Sequence, residues 1–139
     1  MAVRARNLDP SVGNDAFLSI LVCPITVGAS VNQRVAEVRL PWAGKIVSAH
    51  FRCSTLTDAD DSVRVKVQKN GTDLVAAAVD PVAGDTTTTF TLTADTFAAG
   101  DLLQGHVLTG TGDAMVGTFT FVVRPYLGVR ERSAQGLAG

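Results

Sequence analysis

The side chains able to do chemistry are few and badly placed for it. Two histidines, two cysteines and one tyrosine in 139 residues make a thin catalytic stock. His50 falls in phase with Ser48 and Arg52, and His106 with Gln104 and Leu108. Neither has a second histidine, or a carboxylate at ligand spacing, near it in sequence, so both read as surface or structural residues rather than metal ligands. Cys23 keeps phase with Leu21 and Ile25, Cys53 with Ala49 and Phe51, and no CxxC spacing occurs. Both cysteines read as small buried hydrophobes, with a bridge between neighbouring strands as the other option. Asp58-Ala59-Asp60-Asp61 offers oxygens to a hard cation but lacks the spaced series and terminal glutamate of an EF-hand, so it reads as a solvated hairpin tip. Gly110-Thr111-Gly112-Asp113 has the glycines of a phosphate loop and no helix after it, which makes it a turn. Asn70-Gly71-Thr72 matches a glycosylation acceptor and is read as hairpin chemistry. No GxSxG, HExxH, P-loop or GxGxxG is present, and an enzyme built from His106, Asp101 and Asp113 has nothing in its spacing to recommend it. No enzymatic activity, metal or cofactor is expected.

The elements that would carry these residues are strands. Valine and threonine dominate, and β-branched side chains suit a pleated surface. Eight segments read as strands, cut by turn residues at short spacing: 17–27, 34–40, 45–54, 62–69, 74–79, 87–93, 102–109 and 115–124. In Val63-Arg64-Val65-Lys66-Val67-Gln68-Lys69 the valines share one face and the polar residues the other. Asn70-Gly71 then supplies the positive φ of a tight hairpin leading toward Leu74. Met115, Gly117, Phe119, Phe121 and Val123 share a face, with Thr118 and Thr120 opposite. Thr88, Phe90 and Leu92 alternate with Thr87, Thr89, Thr91 and Thr93. The longest apolar-leaning stretch, Ala16 to Val27, holds Ser19, Pro24 and Thr26 and reads as a core strand. These patterns predict an all-β protein, an antiparallel jelly-roll-like β-sandwich of about eight strands with an extended N-terminal arm.

Composition supports a single globular body. A chain of this size buries roughly 68–70% of its unfolded surface, and 46% apolar residues with 18% charged ones exclude intrinsic disorder. The formal net charge of −1 lacks the basic excess that phosphate contacts demand, so no direct nucleic-acid partner is expected. No apolar run reaches the ~20 residues of a membrane helix, and Asn14-Asp15 directly before the apolar stretch argues against a secretory start. Residues 1–16, polar and broken by Pro10 and Gly13, read as an arm; 17–126 as the sandwich; 127–139 as a tail. In the arm, Arg4 and Arg6 alternate with Val3 and Ala5, a pattern able to pair with a sheet edge on a neighbour. Trp42, in the turn Pro41-Trp42-Ala43-Gly44, reads as a half-buried plug at the sandwich end or as an interface anchor.

The order of these features resembles a known family. A short arm precedes a body holding Ala43-Gly44-Lys45-Ile46-Val47-Ser48-Ala49, then Val63 to Thr72, then Phe97-Ala98-Ala99-Gly100-Asp101-Leu102-Leu103, and a last long Thr/Phe/Val strand. This is similar to the small head decoration, or cement, proteins of tailed bacteriophages. The resemblance spans roughly 17–124, and its hairpin and strand patterns are shared with trimeric C1q/TNF-like heads. It implies no catalytic residues. It implies homotrimers on the outer capsid surface of the virion, with the arm reaching onto the major capsid protein and no membrane involved. The residues expected to meet partners are Val3, Arg4, Ala5, Arg6, Leu8, Trp42, Tyr126 and Arg130. The alternative reading is a carbohydrate- or receptor-binding module of a phage fibre or other trimeric head, with Trp42 and Tyr126 as its aromatic platform.

Overall fold

A computed structural model describes residues 18–57, 63–110 and 113–126. Nine strands run through them: β1 (Ser19–Val27), β2 (Asn32–Arg39), β3 (Gly44–Leu56), β4 (Arg64–Lys69), β5 (Thr72–Asp73), β6 (Thr86–Thr89), β7 (Thr96–Phe97), β8 (Leu102–Leu108) and β9 (Met115–Pro125). One sheet has the order β1-β9-β3-β6, with β7 also on β3, and the other the order β2-β8-β4-β5. Every pairing is antiparallel. Successive strands β1 and β2, β3 and β4, and β8 and β9 lie in opposite sheets, which is the jelly-roll arrangement expected from the sequence.

The core forms because alternation points one face of each long strand inward. On β9, Met115, Gly117, Phe119, Phe121 and Val123 are all buried, and on β4 so are Val65 and Val67. Phe119 is the hub. Its ring lies 4.6 Å from that of Phe51 on β3 and 6.4 Å from that of Phe90. Two glycines make room for these rings. A β-carbon on Gly105 of the facing sheet would stand 2.5 Å from the Phe119 ring, and one on Gly117 would strike Phe51.

Two segments depart from the expected strands. The segment 74–79 keeps only Thr72–Asp73 as a strand before it, and then Leu74 and Val79 alone bond β4, at Val67 and Val65. Leu74 and Val75 are both buried, which alternation forbids, and the following Ala76-Ala77-Ala78 has poor strand preference, so the chain bows away between the two contacts. Strand 87–93 ends early: after Phe90 the chain leaves β3, and the Thr93 N–H goes to the Leu74 carbonyl at 2.7 Å. It rejoins β3 as β7, which periodicity over two residues could not announce. The Asn70-Gly71 hairpin is as expected, with φ of 51° and 81°.

β1 is a sheet edge whose inner face joins the core, with Ile25 and Val27 buried. Leu21 and Cys23 are half-buried, whereas Ile20 and Val22 on the other face are 66% and 59% exposed. An apolar pattern on both faces normally marks burial on both sides, and here only one side has a sheet packed on it.

Candidate docking end of the sandwich

Strand directions bring several chain features to one end of the molecule. Ser19 opens β1 opposite Val123, and Gly44 opens β3 opposite Pro125 near the end of β9. The chain thus enters the sandwich, at Leu18, at the same end where it leaves it, at Tyr126. One more backbone bond, from the Tyr126 N–H to the Ala43 carbonyl at 2.8 Å, extends the β3–β9 ladder past Pro125. Ala43 is the neighbour of Trp42, so the two aromatic residues expected to meet partners stand on adjacent backbones. Trp42 is 39% exposed and Tyr126 37%. Trp42 is therefore only part of a plug, with much of its surface open to a partner.

Gly44 permits this arrangement. A β-carbon there would come within 2.5 Å of the Arg124 carbonyl and 2.6 Å of the Phe97 ring, so β3, β9 and β7 close on each other only around a glycine. Lys45 pairs with Asp95 at 3.5 Å beside it, an exposed ion pair of small energetic worth. Leu18, next to this end, is 44% exposed. The expected partner residues Val3, Arg4, Ala5, Arg6, Leu8 and Arg130 lie outside the described residues, as does the Asp58–Asp61 tip.

Several of the residues considered for a reactive site make structural hydrogen bonds. The two ring nitrogens of His50 sit 2.9 Å from the Ser48 hydroxyl and 3.0 Å from the Thr89 hydroxyl, on the outer face of the first sheet. His106 lies on the outer face of the second sheet, between Arg34 of β2 and Lys66 of β4 in register. Burial, then the Lys66 and Arg34 charges, hold its pKa below the ordinary histidine value of 6.5. A cleft of about 360 Å³ opens there, walled by Arg64, Lys66 and His106 and roofed by Ala77 and Ala78. Its cations are engaged, Arg64 with Asp80 and Lys66 with Asp73. Asp101, the other member of the conceivable catalytic set, accepts from the Ala98 N–H and the Asn70 amide, both at 2.8 Å. Asp113 accepts from the Gly110 N–H at 2.9 Å, which is turn chemistry.

Cys23 and Cys53 are free, on β1 and β3 with β9 between them. Strands two apart are separated by about 9–10 Å, beyond the Cα span of a disulfide, so the bridge option is excluded. Burial raises both thiol pKa values, with Asp85 adding to the rise at Cys53. Among the described residues, no three His, Cys, Asp or Glu side chains gather as a metal centre requires.

A polar row that the sequence reading missed crosses the second sheet. Arg34 donates to Gln68 at 2.9 Å, Gln68 to Asp73 at 2.6 Å, and Gln104 to Glu37 at 3.0 Å, while Gln104 accepts from the Gly71 N–H at 2.7 Å. Gln68 and Gln104 face each other in register and are each 5% exposed. Their satisfied amides fix the register of β2, β8, β4 and β5.

No protein-family model and no curated protein matches the chain. Among solved structures, the crystal structure of FLHE aligns over 78% of this chain and 98% of that one, at 15% identity and a TM-score of 0.47. A likeness that distant carries no functional argument.

Proposed function

We propose that this chain is a structural virion protein: a decoration protein that seats on the outside of an icosahedral phage head and stabilises the shell. The observation that carries the reading is the convergence at one end of the sandwich. Entry of the N-terminal segment, exit of the C-terminal segment and the exposed Trp42 and Tyr126 all meet there. A rigid body with its adhesive parts gathered at one end is suited to standing on a surface. The hydrogen-bonded His50, Asp101 and Asp113 of the remaining surface suit a scaffold better than an enzyme. Contact with two or more capsid subunits at once makes binding specific to the assembled lattice, and mass action then stabilises the shell. The near-neutral net charge of −1 suits the outer surface, since the DNA side favours cationic proteins.

The test is co-sedimentation with empty heads assembled from the major capsid protein. The full chain pellets with heads and raises their thermal disruption temperature. A variant lacking residues 1–15 folds but stays in the supernatant. Undiminished pelleting of that variant rejects an arm-mediated clamp.

The exposure of Trp42 and Tyr126 on neighbouring backbone segments also favours a second reading, a carbohydrate- or receptor-binding module. A glycan array separates the two. A hit lost on Trp42→Ala supports sugar binding, and a blank array removes it.

A further inference from the structure

The sheet edges of this sandwich are not alike. β2 is blunted by Arg34, Glu37 and Arg39 and by a register shift between Arg34 and Ala36. β5 and β7 are two residues long and β6 four, too short to template another strand. β1 is nine residues long, pairs among the described residues with β9 alone, and carries no charge from Leu18 to Val27. Natural sheets guard their edges with charges, prolines, bulges or brevity, and of these β1 has Pro24, which leaves Ile20 and Val22 unguarded.

Its one irregular residue shows which groups are on offer. Pro24 pairs with Thr118. Proline has no N–H to give a ladder, so on an edge strand its nitrogen faces outward. Antiparallel residues alternate between those bonded to the neighbour and those directed away from it. Ile20 and Val22 share Pro24's parity, so their N–H and C=O groups point to the open side. The same two residues carry large apolar side chains that are 66% and 59% accessible. Free backbone and free apolar surface thus coincide.

We infer that β1 pairs antiparallel with β1 of a second copy of this chain, joining the two sandwiches edge to edge. A two-fold contact is reciprocal: Ile20 of each copy meets Val22 of the other, exchanging about four backbone hydrogen bonds. The charge-free strand sets no like charges against each other, which is the condition for pairing with itself. On the inner side, Leu21 of each copy covers the half-buried Leu21 and Cys23 of the other. The assembly is a dimer, unlike the three-fold one the resemblance implies. Antiparallel pairing points the two docking ends in opposite directions, so the inference is independent of the decoration reading.

Light scattering of the full chain over a concentration series from micromolar to millimolar tests it. The mass expected at high concentration is twice the 14.5 kDa of one chain. Val22→Lys gives monomers with an unchanged circular dichroism spectrum, as does Val22→Glu, and mixing the two variants restores the dimer. Gln33→Lys, on the guarded β2 edge, stays dimeric. Val22→Lys chains still pellet with heads if the decoration reading holds, so failure of one claim is distinguishable from failure of the other. A wild-type monomer at every concentration overturns the inference, including one in which slow amide exchange at Ile20 and Val22 shows residues 1–17 seated on the edge. So does a trimer, or a dimer indifferent to Val22→Lys.

Discussion

Tyr126 hands its backbone N–H to the carbonyl of Ala43 at 2.8 Å, and this one bond ties the end of the last strand to the turn that bears Trp42. The frame beneath is tight, with Gly44 wedged between the Arg124 carbonyl and the Phe97 ring. Trp42 and Tyr126 are therefore presented by a rigid scaffold, which lowers the ordering cost of binding through them.

Loss of either aromatic side chain should weaken docking and leave the body intact. Exposed anchors of this kind cost about 2 kcal/mol or more when truncated, which is roughly 30-fold in Kd. Trp42→Ala and Tyr126→Ala are expected to show that loss in head binding, with thermal unfolding within a few degrees of the parent. Equal binding by both variants would move the contact elsewhere.

Gly105 and Phe119 make a close approach across the core, and overpacking it is costly. Gly105→Ala is expected to destabilise by about 1–3 kcal/mol, read as a lower denaturant midpoint at constant slope. Because the added methyl meets the ring directly, Gly105→Ala combined with Phe119→Leu should lose less than the sum of the single changes. Strict additivity would mean the two residues do not compete for that space.

His106 makes stability fall on mild acidification. Its pKa in the folded chain lies below 6.5, chiefly through burial and then through Lys66 and Arg34, with Asp73 partly opposing. Between that value and 6.5 the unfolded chain binds the proton and the folded chain does not, so stability drops as pH falls through this window. Nuclear magnetic resonance should place the His106 midpoint below 6.5, and His106→Gln should flatten the pH dependence there. A midpoint above 6.5 contradicts the assignment.

Asp101 and Asp73 act at lower pH and in the same sense. Bonds from the Ala98 N–H and the Asn70 amide hold the Asp101 carboxyl below 3.8, and Gln68 and Lys66 do so for Asp73. Their contribution is complete above 3.8 and disappears as pH falls through the folded values. Asp101→Asn should lower stability at neutral pH and reduce the loss that the parent shows as pH falls below 3.8. An unaltered acid-unfolding curve would show that this carboxylate contributes nothing.

What the residues announced depended on how many neighbours shared the message. Val63 to Lys69 and Met115 to Val123 alternate over many residues, so both their strands and their buried faces were legible. Leu74-Val75 was not, because two consecutive buried residues fit no strand and the bow depends on contacts with Val65 and Val67. The inward phase of Leu21, Cys23 and Ile25 on β1 was legible, but its edge position was not, because a strand's place in the order is a property of the whole chain. Trp42 and Tyr126 could be picked out one by one as exposed aromatics. Their adjacency required the β3–β9 register, which no local pattern encodes. The Gln68–Gln104 row was silent for the same reason, since each glutamine alone looks like an ordinary outward polar residue.

Co-sedimentation with empty heads is the most direct measurement of the central claim, with the parent chain, the 1–15 deletion and the Trp42→Ala/Tyr126→Ala double variant run together. The account predicts that the parent pellets with heads and that both variants, though folded, remain in solution. Failure of the parent to pellet, or pelleting of all three alike, would contradict it.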